Sequence, residues 1–176
     1  MKKLVILIIF VGVTLGTSLI SKQEADTELP KYTPEQRWNR ASFSVTLSFV
    51  TGIAYAKSKG QSAEEYGEYC AKLYTPSWGE PNSGTLNVIR GMNLNYMAWT
   101  ESEFEITESS DEFVTGRSNR PYVKYFGDDK SLYGVTVEEF EKCFSVFNNR
   151  LADYLGLKYK DEVKDGWLYM TFSKIK

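Results

Sequence analysis

The sequence predicts an α+β domain. N-terminal helices are followed by an antiparallel sheet in the order β-β-α-β-β, with helices packed on one face. Three observations predict it. Capping boxes, a Ser or Thr followed three residues later by Glu or Gln, stand at Thr33, Ser62 and Thr136. The apolar period changes from helical to alternating after Trp99 and again after Gly156. Lys164-Asp165-Gly166 separates two alternating runs, a hairpin signal. The 176 residues are enough for one domain with its own core, and residues 33–176 are assigned to it.

The segment before that domain carries an address. Lys2 and Lys3 form a positive n-region, residues 4–15 are apolar apart from Gly12 and Thr14, and Gly16, Thr17 and Ser18 are small. That is the layout of a secretory signal peptide over residues 1–18, with cleavage after Ser18. No Cys follows the apolar run, so a lipid anchor is not expected. The expectation is an exported bacterial protein, periplasmic or secreted, with no membrane span once the signal is removed. The alternative is an uncleaved anchor, because the apolar run to Ile20 is near the minimum for crossing a bilayer. Residues 19–32, polar and containing Pro30, form a linker.

A first helix starts at Pro34, capped by Thr33 with Gln36 reaching back, and stops at Lys57, Lys59 and Gly60. Its run without charge includes Phe43, Val45, Leu47 and Phe49 alternating with Ser and Thr, so a strand competes with the helix. The capping box and Pro34 favour the helix. Trp38, Ala41, Val45 and Phe49 form one stripe and Phe43, Leu47, Val50 and Ala54 another. Ser44, Ser48 and Thr51 lie between as small packing residues. This reads as a helix buried on most sides. Ser62 caps a second helix, closed by Glu65, whose inner face is Tyr66, Tyr69, Cys70 and Leu73. The tight connection makes the two a helical hairpin. A third helix spans 85–98, with Leu86, Ile89, Met92 and Tyr96 inward.

Phe104 and Ile106 alternate with acidic residues, turn at Ser109-Ser110-Asp111 and resume at Phe113, a hairpin. Residues 120–126 read as an extended piece and 127–134 as a loop. Thr136 and Glu139 open the most regular helix, on which Phe140, Cys143, Phe144, Phe147, Leu151, Tyr154 and Leu155 keep three-four spacing. Phe144 and Phe147 are therefore expected in the core. Residues 157–163 and 167–173 form the last hairpin, with Leu168, Met170 and Phe172 alternating against Trp167, Tyr169 and Thr171.

Composition removes several functions. There is no His, which excludes Ser-His-Asp and Cys-His catalysis, imidazole proton shuttling and the usual catalytic zinc sets. Two Cys cannot hold a four-thiolate centre, and no phosphate-cradling glycine motif is present. No cofactor is expected. Charge balance is mildly acidic, net -2, and removal of Lys2 and Lys3 leaves 19 basic against 23 acidic residues. A nucleic-acid surface would need clustered Lys and Arg, so no nucleic-acid partner is expected. Asp128 and Asp129 after Gly127, and Asp111 with Glu112, read as solvated turns rather than a metal site, because calcium-loop spacing is missing.

Three groups of residues remain as candidates. Cys70 and Cys143 lie on apolar helix faces, as two buried small hydrophobes, as a disulfide that export permits, or as a thiolate lacking an adjacent base. Asn87, Gly91 and Asn95, four apart, make a polar strip on the third helix, either solvated or facing a pocket. Trp78, in a Gly/Pro loop, and Trp99, where helix gives way to strand, are large aromatics at junctions. With Tyr96 they are expected to wall a pocket for a small, partly apolar ligand, with Asn95 hydrogen bonding at its rim. Packing across the junction is the plain alternative.

"YAKSKGQSAEEYGEYCAKLYTPSWG", "FEITESSDEFV" and "VTVEEFEKCFSVFNNRLADYLGLKYKDEVKDGWLYMTFSKI" together resemble the layout of the L-2-amino-thiazoline-4-carboxylic acid hydrolase-like proteins, over most of residues 50–175. That fold is similar to the small-molecule-binding domain named after 4-vinyl reductase. The resemblance implies the fold and small-molecule binding. It does not carry catalysis over, because a His and Cys cluster is missing and Cys143 is at a core position, so no catalytic residue is transferred. The leading expectation is thus an exported, non-catalytic binding domain for a small ligand or a partner. A hydrolase using Asp, Glu or Cys and a structural envelope protein are the rivals.

Overall fold

The computed structural model describes residues 31–74, 77 and 84–175. The signal segment, most of the linker and Trp78 lie outside the described residues. Helix α1 (Pro34–Ser58) leads to α2 (Ala63–Tyr74) and α3 (Thr85–Tyr96). The hairpin β1 (Phe104–Ser109) and β2 (Phe113–Ser118) follows, and then a 3₁₀ turn at Val123–Tyr125. A two-residue ribbon, β3 (Ser131–Leu132) and β4 (Val135–Thr136), precedes α4 (Val137–Tyr154). The hairpin β5 (Leu157–Lys164) and β6 (Trp167–Lys174) ends the chain. The four long strands form one antiparallel sheet in the order β1-β2-β6-β5, so the two hairpins meet where β2 pairs with β6. The fold is α+β, with α3 packed on β1, β2 and β6, and α4 on β5.

Local chemistry explains where the elements begin and turn. All three capping boxes form: Thr33 with Gln36, Ser62 with Glu65 and Thr136 with Glu139. Each satisfies two backbone N–H groups that a helix start leaves without partners. Glu139 also pairs with Lys57 at 2.6 Å, tying the end of α1 to the start of α4. The β5–β6 turn puts Asp165 at φ 52° and Gly166 at φ 81°. This is the two-residue left-handed turn whose twist matches a hairpin.

Alternation sorts the sheet. Val114, Leu168, Met170 and Phe172 are buried on the helix side. On the other face the Arg117 guanidinium lies 4.4 Å from the centre of the Trp167 ring and pairs with Glu105.

Several expectations are corrected. α1 buries one face only, through Ser42, Thr46, Val50, Ile53 and Ala56. Trp38 is 47% exposed, and Ser44, Ser48 and Thr51 face solvent, donating to the carbonyls of their own helix. On α2 the inner face is Ala63, Gly67, Cys70 and Ala71, whereas Tyr69 and Leu73 are exposed. Leu86 on α3 and Tyr154 on α4 point outward as well. Residues 122–126 coil rather than extend, and the 127–134 loop runs into the β3–β4 ribbon.

The reason on α2 is distance. A Cβ built on Gly67 would stand 2.4 Å from the backbone oxygen of Cys143, so α2 and α4 approach too closely for large side chains. The same logic explains Gly52, which receives the Tyr66 ring across the α1–α2 hairpin. Gly67→Ala separates two opposing effects. Helix propensity alone would stabilise it by about 1 kcal/mol. The clash with rigid backbone should outweigh that, leaving a net loss of about 1–3 kcal/mol in urea unfolding. A variant more stable than the parent would contradict the α2–α4 spacing.

Candidate functional site

Between α3 and α4, against β5 and β6, the side chains leave a cavity of about 310 Å³. Its lining is almost wholly apolar and comes from every layer. α1 contributes Val45 and Phe49, α3 contributes Met92, Asn95 and Tyr96, and Ala98 and Trp99 follow from the junction. Tyr122, then Phe140, Phe144 and Phe147 of α4, and Tyr159 and Leu168 of the sheet complete the wall.

Most of the rings form a chain. From Phe104 through Tyr96, Trp99, Tyr122, Phe140 and Phe144 to Phe49, consecutive ring centres are 4.6–5.7 Å apart. The tilted geometries are those that ring quadrupoles favour. Phe144 and Phe147, expected in the core, are only half-buried. They are on the inward stripe of α4, but that stripe meets the cavity instead of packed atoms.

A short set of hydrogen bonds holds the junction after α3. The Trp99 indole N–H donates to the Thr46 hydroxyl at 2.9 Å, and the Thr100 N–H donates to the Ser42 hydroxyl at 3.0 Å. Ser42 Oγ stands 2.8 Å from the Ala98 carbonyl, and the Thr100 hydroxyl donates to Asn39 Oδ1 at 2.7 Å. Asn39, Ser42 and Thr46 fall on one stripe of α1, so a polar seam aligns that helix on residues 98–100.

Two polar clusters interrupt the apolar wall. Glu141 Oε1 accepts from Arg120 at 2.6 Å and from the Tyr122 hydroxyl at 2.8 Å. Asp161 accepts from the Ser145 hydroxyl at 3.0 Å and from the Tyr159 hydroxyl at 3.0 Å, while Asn148 donates to Tyr159 at 3.2 Å. Burial raises the pKa of Tyr96, Tyr122 and Tyr159, and the neighbouring carboxylates add to the effect. All three phenols therefore stay neutral at ordinary pH. Glu141 and Asp161 both touch the cavity.

Of the residues the sequence singles out, Asn95, Tyr96 and Trp99 come together on this one cavity. Tyr96 and Trp99 are buried, and Asn95 is exposed, which with exposed Tyr74 places the mouth at that end. Trp78 lies outside the described residues. Cys70 and Cys143 are free, buried thiols in this structure. Burial pushes Cys143 up to about 12 and also raises Cys70, which keeps both protonated at neutral pH. Asp129 closes a turn onto Ser131. Among the described residues no three or more Cys, Asp or Glu side chains converge as a metal site would require.

Sequence reading missed Tyr122, Glu141, Asn148, Tyr159 and Asp161. Asn148 carried a usable signal, since it falls on the buried stripe of α4 between Phe144 and Leu151 and is 4% exposed. Asp161 carried another, being in step with Leu157 and Tyr159 on the inward side of β5. A second, polar depression of about 410 Å³ lies among Thr107, Thr115, Lys160, Glu162, Tyr169 and Thr171, and Asp161 borders it as well as the chamber. It is made of hydroxyls and solvated charges and lacks the ring-lined wall.

No family model matches the chain, and no curated protein matches it. Among solved structures it is similar to an Fe(II) unliganded H-NOX protein mutant from K. algicida. The identity is 9%, the match covers 89% of this chain and 82% of that one, and the TM-score is 0.35. A likeness at that level carries no argument about fold or function.

Thr46→Val tests the polar seam. Val keeps the shape but strands the buried Trp99 N–H, so stability should fall by about 1–3 kcal/mol in urea unfolding. A change below about 0.5 kcal/mol would mean that the indole finds another partner.

Proposed function

We propose that this domain binds a small, largely apolar molecule in the cavity between α3 and α4, without transforming it. The observation that carries this reading is the ring-lined chamber of about 310 Å³ with a few fixed polar groups at its edge. Ligand sites have that composition, whereas ordinary cores close such voids. The resemblance to the aminothiazoline hydrolase-like and 4-vinyl reductase-like domains points to binding as well.

Binding without chemistry is favoured over hydrolysis by the state of the reactive groups. Both thiols are buried and protonated. Glu141 is held by Arg120, and Asp161 is held by neutral donors. On the strength of its n- and h-regions, we place the mature domain outside the cytoplasm. No helix among the described residues is long and apolar enough to cross a membrane.

The test uses N-phenyl-1-naphthylamine, a neutral probe that brightens in apolar sites. The protein should raise its fluorescence saturably. Val45→Phe, which pushes a ring into the chamber from α1, should abolish that rise and hold or increase the thermal midpoint. Probe binding undiminished by Val45→Phe would place the site elsewhere, and no brightening by the parent protein would contradict the binding reading.

A further inference from the structure

The charges around the cavity do not balance, and that imbalance describes the ligand. Glu141 faces the chamber but is neutralised by Arg120 at 2.6 Å, with side chains 16% and 18% exposed. Asp161 also faces the chamber. Among the described residues it enters no ion pair. Its two oxygens each accept one hydrogen bond from a neutral hydroxyl, Ser145 on Oδ1 and Tyr159 on Oδ2. A carboxylate oxygen has room for a second, so each keeps a free lone pair.

The neighbouring bases do not supply the missing charge. Lys158 and Lys160 precede Asp161 on β5, and alternation sends their exposed side chains to the opposite face of the sheet. Lys160 and Lys164 line the polar depression that Asp161 also borders, but neither pairs with it. Asn148 orients the whole arrangement. Its amide donates to Tyr159, which leaves the phenol proton committed to Asp161. The carboxylate is thus fixed in position before any ligand arrives.

The walls favour the same sign. Phe49, Phe140, Phe144, Phe147, Tyr96 and Trp99 surround the space, and aromatic faces attract cations through the ring quadrupole. Two carboxylates against one guanidinium leave one negative charge in an apolar cleft. An anion would meet repulsion from Asp161, and a neutral molecule would leave that carboxylate without a counter-charge.

We infer that the molecule bound in this cavity is a monocationic amine, with its ammonium group on Asp161 and its apolar or aromatic body between the rings of α1, α3 and α4. This inference rests on the binding reading above and adds the chemical class of the ligand. Asp161 anchors the charge, Ser145 and Tyr159 position Asp161, and Asn148 positions Tyr159.

Three probes with one body separate the two claims. They are 1-naphthylmethylamine, 1-naphthalenemethanol and 1-naphthoate, titrated into the full chain by calorimetry at neutral pH. The amine should bind at least about tenfold more tightly than the alcohol, as expected of a desolvated charge pair, with the acid weakest. Asp161→Asn should reduce the amine's preference over the alcohol to about threefold or less. The charge series on the unmodified chain decides the question even if that variant folds poorly. Equal binding of amine and alcohol, or a preference that survives Asp161→Asn, would overturn the cationic ligand and leave the binding reading standing. Failure of all three probes and of N-phenyl-1-naphthylamine would overturn both.

Discussion

The site depends on how α1 is fastened to the chain just after α3. Ser42 and Thr46 are fully buried hydroxyls. Both donate to carbonyls of their own helix, and a buried N–H without an acceptor costs about 1–3 kcal/mol, so α1 settles where these hydroxyl oxygens can also accept from the junction. That place is against Ala98, Trp99 and Thr100, whose carbonyl, indole N–H and backbone N–H supply the partners. The seam sets both the rotation and the height of the helix. Val45 and Phe49 then face α3 and α4 without having to fill the space between them. A helix held by directed polar contacts can span a gap that a purely apolar helix would collapse into.

Trp99 connects that seam to the cavity. Its indole N–H belongs to the hydrogen-bonded edge, while its ring belongs to the chain of aromatic contacts running from Phe104 to Phe49. Rigid, mutually tilted rings resist collapse because each is constrained by the next. This accounts for the high aromatic content, 15% of the chain, and for the half-burial of Phe144 and Phe147. An unfilled apolar volume costs about 24 cal/mol per Å³ when it is made by truncating core side chains. At about 310 Å³ that scale reaches several kcal/mol, so packing alone does not favour leaving the chamber open.

What was legible in the sequence was local. Capping boxes at Thr33, Ser62 and Thr136 act over three residues, and the Asp165-Gly166 turn over two, so propensity and hydrogen-bond chemistry determine them without tertiary help. The meeting of Asn95, Tyr96 and Trp99 was legible too, because five consecutive residues at a helix end and its exit must lie near one another. The buried face of α1 was not. Its inward stripe begins with Ser42 and Thr46, which look like solvent-facing residues until their partners more than fifty positions later are known. The α2 face failed for the opposite reason. Tyr69 and Leu73 are the apolar residues, but the α2–α4 approach at Gly67 admits only small ones, and interhelical distance is not written in periodicity. Asp161 and Asn148 follow the inward period faithfully, and their polarity at core positions was the overlooked sign of a site.

Native mass spectrometry of the protein isolated from its own cells, under conditions that preserve the fold, tests the central claim most directly. The account predicts one small, amine-containing molecule travelling with each chain and released when the chain unfolds. Recovery of the chain bare, with its fold intact, would contradict it.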